Sequence, residues 1–154
     1  MKIKLDPGAV MPTRAHPYDA GLDLYMPKGG EPVYIPPFGD CATIDTGVHI
    51  AIPQHFCGLV KSRSGLMVNH KIVTDGTIDC GYTGSIRVTL FNNGAKPYTV
   101  NPGDKIAQLV IVPCCLPPLE EVDRKEMCKR AVDSGVCPRD CDRCAWGERR
   151  TDGR

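Results

Sequence analysis

The sequence predicts an all-β domain, a sandwich, jelly roll or barrel, and three observations lead there. The chain carries 16 glycines and 14 prolines in 154 residues, and helix-breaking, turn-marking residues at this density exclude a helical bundle. Short runs rich in β-branched and aromatic residues recur along it, separated by clusters of Pro, Gly, Asn and Asp, the punctuation of a strand-and-turn fold. Hydrophobic residues make up 42% of the chain, enough to build a packed core for one compact domain.

The elements follow in order. Val33-Tyr34-Ile35 lies between prolines, and Val48, Ile50 and Ile52 alternate with His49 and Ala51, the period-two pattern of a half-buried strand. Residues 56–60, 85–91 and 106–112 are further β-rich runs, and turn clusters fall at 27–30, 36–39, 92–94 and 101–103. Residues 64–69 alone in this region have the composition of a helical turn. The texture changes after Pro117-Pro118: from Asp123 onward, 32 residues hold nine Lys/Arg and seven Asp/Glu. The expected organisation is a β domain over residues 1–122 and a Cys/Arg-rich tail over residues 123–154, partly helical or disordered.

Charge and composition exclude several functions. With 19 Lys+Arg against 18 Asp+Glu the net charge is +1, without the basic excess of a nucleic-acid binder. No run approaches the roughly 20 apolar residues of a membrane span. The opening MKIKLDPGAV has no apolar stretch behind its lysines, so a cytoplasmic protein with no membrane contact is expected. Of nine cysteines, Cys41, Cys57, Cys80, Cys114 and Cys115 are scattered through the β region, where they read as small, reduced, partly buried residues.

Four segments interrupt strand-like text with polar residues and glycine. In Asp19-Ala-Gly-Leu-Asp-Leu-Tyr25, Asp23 faces opposite to Leu22 and Leu24; taken alone it is an edge-strand carboxylate in water. In Lys61-Ser-Arg-Ser-Gly-Leu66, an arginine, a hydroxyl and backbone N–H groups are available to a phosphate. Asp75-Gly-Thr-Ile-Asp-Cys-Gly-Tyr-Thr-Gly84 reads as a hairpin holding a carboxylate, Asp79, and an aromatic plate, Tyr82. In Gly103-Asp-Lys-Ile-Ala-Gln-Leu-Val110, the Gln108 amide needs partners if buried.

In their order and spacing these segments resemble motifs one to four of the trimeric dUTP pyrophosphatase family, over residues 5–122. The resemblance implies a jelly-roll domain, a homotrimer with sites shared between subunits, and Mg²⁺-dependent hydrolysis of dUTP to dUMP and pyrophosphate. It implies that Asp79 is the base that activates water. Arg63, Ser64, Gly65 and Gln108 would hold the phosphates. Asp23 would sit near the metal, which is carried mainly by the triphosphate. Thr77 and Ile78 would offer backbone groups to the uracil edge, and Tyr82 would lie under the deoxyribose and crowd out a 2′-hydroxyl.

Two departures stand out. Many relatives have a second acid two positions after the base, where this chain has Gly81. The family's glycine-rich fifth motif is absent. The nearest text, Arg143-Cys-Ala-Trp-Gly-Glu-Arg-Arg-Thr151, would put Trp146 on the base and Arg149, Arg150 and Thr151 on phosphate, a match too degenerate to carry over. Cys128, Cys137, Cys141 and Cys144 are candidate zinc ligands, but with a single two-residue gap between cysteines a reduced, cysteine-bearing tail is preferred. The alternative function is a catalytically impaired nucleotide sensor that binds a partner through this tail.

Overall fold

A computed structural model describes residues 1–123 and Glu126, in two compact units, Met1–Leu116 and Pro117–Arg154. The first unit is an all-β jelly roll. Its strands are β1 (Ile3–Leu5), β2 (Gly21–Tyr25), β3 (Val33–Ile35), β4 (Asp40–Asp45), β5 (Val48–Ile50) and β6 (Phe56–Lys61), then β7 (Ile72–Val73), β8 (Asp75–Ile78), β9 (Arg87–Asn92), β10 (Tyr98–Val100) and β11 (Lys105–Pro113), with one helix, α1 (Ser64–His70), between β6 and β7. They form a four-stranded sheet β2-β11-β6-β8, a three-stranded sheet β4-β9-β7, and the pairs β1-β5 and β10-β3. All pairings are antiparallel. In the second unit, the Glu126 N–H donates to the Asp123 carboxylate at 2.9 Å.

Alternation decides which residues reach the core. In the β6–β11 pair, Val60 opposes Leu109 and both are buried. The pairs Leu59–Val110 and Cys57–Val112 turn to the other face, because the side-chain period of a strand is two. Leu24, Ile35, Ile86, Val88, Leu90, Val100 and Ile106 complete the interior, each buried side chain contributing about 1.5–3 kcal/mol. Asn92 is fully buried with its amide satisfied: Nδ2 donates to the Ile35 and Lys96 carbonyls at 3.2 and 2.9 Å, and Oδ1 accepts the Gly94 N–H at 3.0 Å. It ties the end of β9 to β3 and to the turn before β10.

Three expectations need correction. The strand expected over residues 85–91 begins at Arg87, because Ser85 turns its hydroxyl to Asp45 and the Ile86 N–H goes to the Val48 carbonyl at 2.9 Å. The alternation through Ile52 persists as burial, yet β5 ends at Ile50. The third segment is not a hairpin: β8 pairs with β6, while β9 pairs with β4 and β7. Residues 79–86 therefore cross from one sheet to another, through a turn in which the Tyr82 N–H meets the Asp79 carbonyl at 3.0 Å.

Candidate active site

β2, β11 and the β6–α1 junction converge on a cleft of about 270 Å³ lined by Ala15, Asp19, Ala20, Gly21, Asp23, Arg63, Ser64 and Gln108. At its floor Asp23, directly opposite Gln108 across the β2–β11 pair, is the hub. Far from lying in water, its side chain is 12% exposed and bound by two cations: Arg63 Nε donates to Oδ1 at 3.0 Å and Lys105 Nζ to Oδ2 at 2.8 Å. The Asp23 bond raises the Lys105 pKa above its usual value, so the lysine stays charged. One carboxylate between two cations leaves the cluster with net positive charge.

Local chemistry fixes the other groups. The Ser62 hydroxyl donates to the Thr74 carbonyl at 2.9 Å and accepts the Thr74 N–H at 2.8 Å, pinning the chain where β6 ends. The Ser62 carbonyl accepts Gln108 Nε2 at 3.0 Å, which answers the need of that half-buried amide for a partner. Its Oε1 lies over Gly21, where a Cβ would stand only 2.3 Å away, so any side chain at position 21 would displace it. Arg63 is the N-cap residue of α1, extended at φ −78° and ψ 134°, and no side chain caps the first turn. N–H groups at the start of α1, Ser64 and Gly65 among them, therefore remain for other partners. At the rim, the Asp19 carboxylate accepts the His16 N–H at 2.8 Å, which holds its pKa below the ordinary value.

Asp79, Thr77, Ile78 and Tyr82 lie elsewhere. Ile78 pairs with Gly58 near the start of β6, whereas Arg63 follows the end of that strand. Five residues at 3.3–3.4 Å each separate the two positions by roughly 17 Å along the strand direction. Asp79 is exposed. The Tyr82 hydroxyl donates to the Ser85 carbonyl at 2.8 Å, and its ring folds over Gly84, where a Cβ would lie 2.6 Å from Cζ. Tyr82 lines a second cavity of about 360 Å³ with Lys2, Lys4, His49, Ala51 and Thr83.

Among the described residues a divalent metal finds no cage made by protein groups alone. Both Asp23 oxygens are engaged, and among the described residues no group of three or more His, Cys, Asp and Glu could hold an ion. The candidate zinc ligands Cys128, Cys137, Cys141 and Cys144 lie outside the described residues, as do Trp146, Arg149, Arg150 and Thr151. Cys41, Cys57, Cys80, Cys114 and Cys115 are free thiols. Sequence reasoning missed Lys105 and Gly21, both set by the β2–β11 register, and Ser62, whose partners are 12 and 46 residues away in the chain.

Fold and cleft together define a jelly-roll β protein whose partly buried cleft offers a guanidinium, a hydroxyl and an amide to a phosphorylated ligand. The family profile described as dUTPase matches residues 8–136. A deoxyuridine 5′-triphosphate nucleotidohydrolase of Mycobacterium marinum is 50% identical over 113 residues, spanning 71% of this chain and 71% of that protein. Its counterpart in Gloeobacter violaceus is 42% identical over 127 residues, spanning 80% and 85%. The solved dUTPase of phage phi11 of S. aureus superposes with a TM-score of 0.72 at 32% identity, covering 80% of this chain and 96% of that one. A mutant of the same enzyme, described as coordinating a structural Mg(II) ion, covers 81% and 97% with a TM-score of 0.71 at 33% identity. The chain belongs to the dUTPase family.

Proposed function

We propose that this protein is a dUTP diphosphatase that hydrolyses dUTP to dUMP and pyrophosphate, keeping uracil out of DNA and supplying dUMP. The observation that carries the reading is the convergence of Asp23, Arg63, Ser64 and Gln108, from three separate segments of a dUTPase-family chain, on one cleft whose floor carboxylate is held by two cations. In this reading the Arg63 guanidinium, the Ser64 hydroxyl, the Gly65 N–H and the Gln108 amide hold the triphosphate and steady the charge that grows on its oxygens in the transition state. Asp23 keeps Arg63 and Lys105 oriented. Asp79 accepts the proton of the water that attacks the α-phosphorus, and pyrophosphate leaves. Backbone groups of Thr77 and Ile78 read the uracil edge, and Tyr82 packs under the deoxyribose.

Mg²⁺ would be held mainly through the triphosphate that Arg63, Ser64, Gly65 and Gln108 bind, and when bound would neutralise triphosphate charge. Ile78, next to Asp79, pairs with Gly58, roughly 17 Å along the strand direction from Arg63, and in this reading one chain does not complete the site. Asp79 and Tyr82 of one copy serve the cleft of another, in a homotrimer. The outward face of β6 and β11 supports self-association: Cys57, Leu59, Val110, Val112 and Cys114 are only partly buried there, an apolar strip on a monomer surface. No helix among the described residues is long and apolar enough to cross a membrane.

The test is pyrophosphate release in Mg²⁺ from dUTP, dCTP, dTTP and UTP, with sedimentation of the same sample. Turnover confined to dUTP by a trimer is expected. Binding of dUTP without release of pyrophosphate would overturn the hydrolase reading and favour a nucleotide sensor.

A further inference from the structure

We infer that His49 is a positioning residue which, as an imidazolium, clamps the turn carrying Tyr82 and Asp79 and so makes nucleoside recognition depend on pH. The inference rests on the nucleoside role proposed above for that turn. His49 projects from β5 with its ring between two oxygens: Nδ1 lies 2.8 Å from the Thr83 carbonyl and Nε2 lies 2.9 Å from Asp6 Oδ2. A carbonyl accepts and an ionised carboxylate accepts. Both ring nitrogens must therefore carry a proton for both bonds to form, and only the charged ring has two.

The surroundings favour that state. Asp6 is held ionised, its pKa lowered first by His49 and then by Lys4, whose Nζ lies 3.1 Å from Asp6 Oδ1. The His49 pKa is raised above its usual 6.5, chiefly by Asp6 and next by the Thr83 carbonyl. The other charged or titratable groups facing this cluster are Lys2 and Lys4 from the N-terminal strand, Tyr82 across the shared cavity, and Asp45, which repels Asp6 but is occupied by Ser85 and Arg87. The lysines oppose the charged ring, and Asp6 at contact distance outweighs them.

The clamp acts on the turn through its backbone. Thr83 follows Tyr82, whose N–H bonds the Asp79 carbonyl and whose hydroxyl bonds the Ser85 carbonyl. The end of the segment is anchored by Ser85 to Asp45 and by the Ile86 N–H to the Val48 carbonyl, and the hydrogen bond from His49 ties Thr83, nearer the turn, to β5 and through it to Asp6. When His49 loses its proton, one of its two bonds fails, and the ring can turn its remaining N–H to Asp6, releasing Thr83.

The experiment pairs an NMR titration of the His49 ring with dUTP and UTP kinetics from pH 5.5 to 8.5, on the full chain and on His49→Leu and Asp6→Asn, each checked for cooperative unfolding and a native circular-dichroism spectrum. His49 should titrate above 6.5 in the native chain and lower in Asp6→Asn. His49→Leu should raise KM for dUTP about tenfold, the loss of one charge-assisted hydrogen bond, with a smaller change in kcat and a narrowed preference for dUTP over UTP. In the native chain KM should climb as pH passes the His49 pKa. Asp6→Asn should keep the neutral-pH KM and lose that climb, since a neutral ring can donate from Nδ1 to Thr83 while accepting from the new amide at Nε2. A ring titrating at or below its ordinary value overturns the clamp. So does His49→Leu with native KM and native dUTP preference in an enzyme that turns over dUTP. If the native chain does not hydrolyse dUTP while His49 still titrates high, the hydrolase reading fails and the clamp stands.

Discussion

The cleft around Asp23 and the turn from Asp79 to Ser85 solve the placement of functional groups in opposite ways. The first is assembled on paired strands: β2 and β11 are locked through five register pairs, and a carboxylate 12% exposed holds two cations at 3.0 and 2.8 Å. The second spans the gap between two sheets, fixed at its end by Ser85 on Asp45 and, nearer the turn, by exposed hydrogen bonds from His49 to Thr83 and from Tyr82 to Ser85. Groups that must withstand a polyanion sit where one chain can fix them. Groups proposed to meet the nucleoside sit on an exposed turn, where the proposed homotrimer would bring them to a neighbouring copy.

Changes confined to either region should separate the two. Asp79→Asn leaves the cleft intact and removes the base, so dUTP turnover should fall by about 10²–10⁴-fold. Calorimetric affinity for dUTP and the melting temperature should stay near native, because Asp79 is exposed; a large loss of binding would show that the turn and the cleft are not independent. Arg63→Ala strikes the other region and leaves the partly buried Asp23 with Lys105 alone. It should weaken dUTP binding by roughly 10–100-fold and lower stability by about 1–3 kcal/mol, read by calorimetry and urea unfolding. Gly21→Ala should act on Gln108 alone, raising KM several-fold through displacement of an amide whose Oε1 would meet the new methyl at 2.3 Å, at a folding cost of about 1–3 kcal/mol.

The smallest effect expected is on stability as a function of pH, and it has two opposed windows. Asp6, Asp19, Asp45 and Asp75 have folded-state values below 3.8, held there first by His49, the His16 N–H, Ser85 and Lys61 respectively. Their contributions are complete above 3.8 and fade as pH falls through the lowered values. His49 is shifted the other way, so its contribution is complete below 6.5 and fades as pH rises through its raised value. Melting temperature should therefore drop in acid for the native chain. Above neutrality a slight decline should appear that His49→Leu abolishes; a decline that survives the substitution would assign it elsewhere.

Local pattern made much of the molecule legible. Alternating β-branched residues marked β5, β6 and β11, and the helical turn after Arg63 lies where its composition places it. Ordered motifs marked Asp23, Arg63, Ser64 and Gln108, which share one cleft. What escaped depends on pairings distant in sequence. Asp23 read as solvated because alternation tells which way a side chain points and not what meets it there. Gly81 and Gly84 announce a turn but not the sheets on either side, hence the mistaken hairpin. His49 looked like a polar step in an alternating strand, since neither Asp6 nor Thr83 is near it in the chain.

The register shift in β11 between Lys105 and Ala107 has a consequence for the site's arithmetic. A regular strand keeps a phase of two, so residues three apart point in opposite directions. Lys105 and Gln108 are three apart, yet they oppose Tyr25 and Asp23, two positions that share a face. The extra residue, Ile106, absorbs the half-cycle by entering the core beside Ala107, both essentially fully buried. Were the strand regular over these three steps with Ile106 kept in register, either the lysine or the amide would turn inward. The shift thus lets an additional apolar side chain enter the core while Lys105 and Gln108 both stay on the face that carries Asp23.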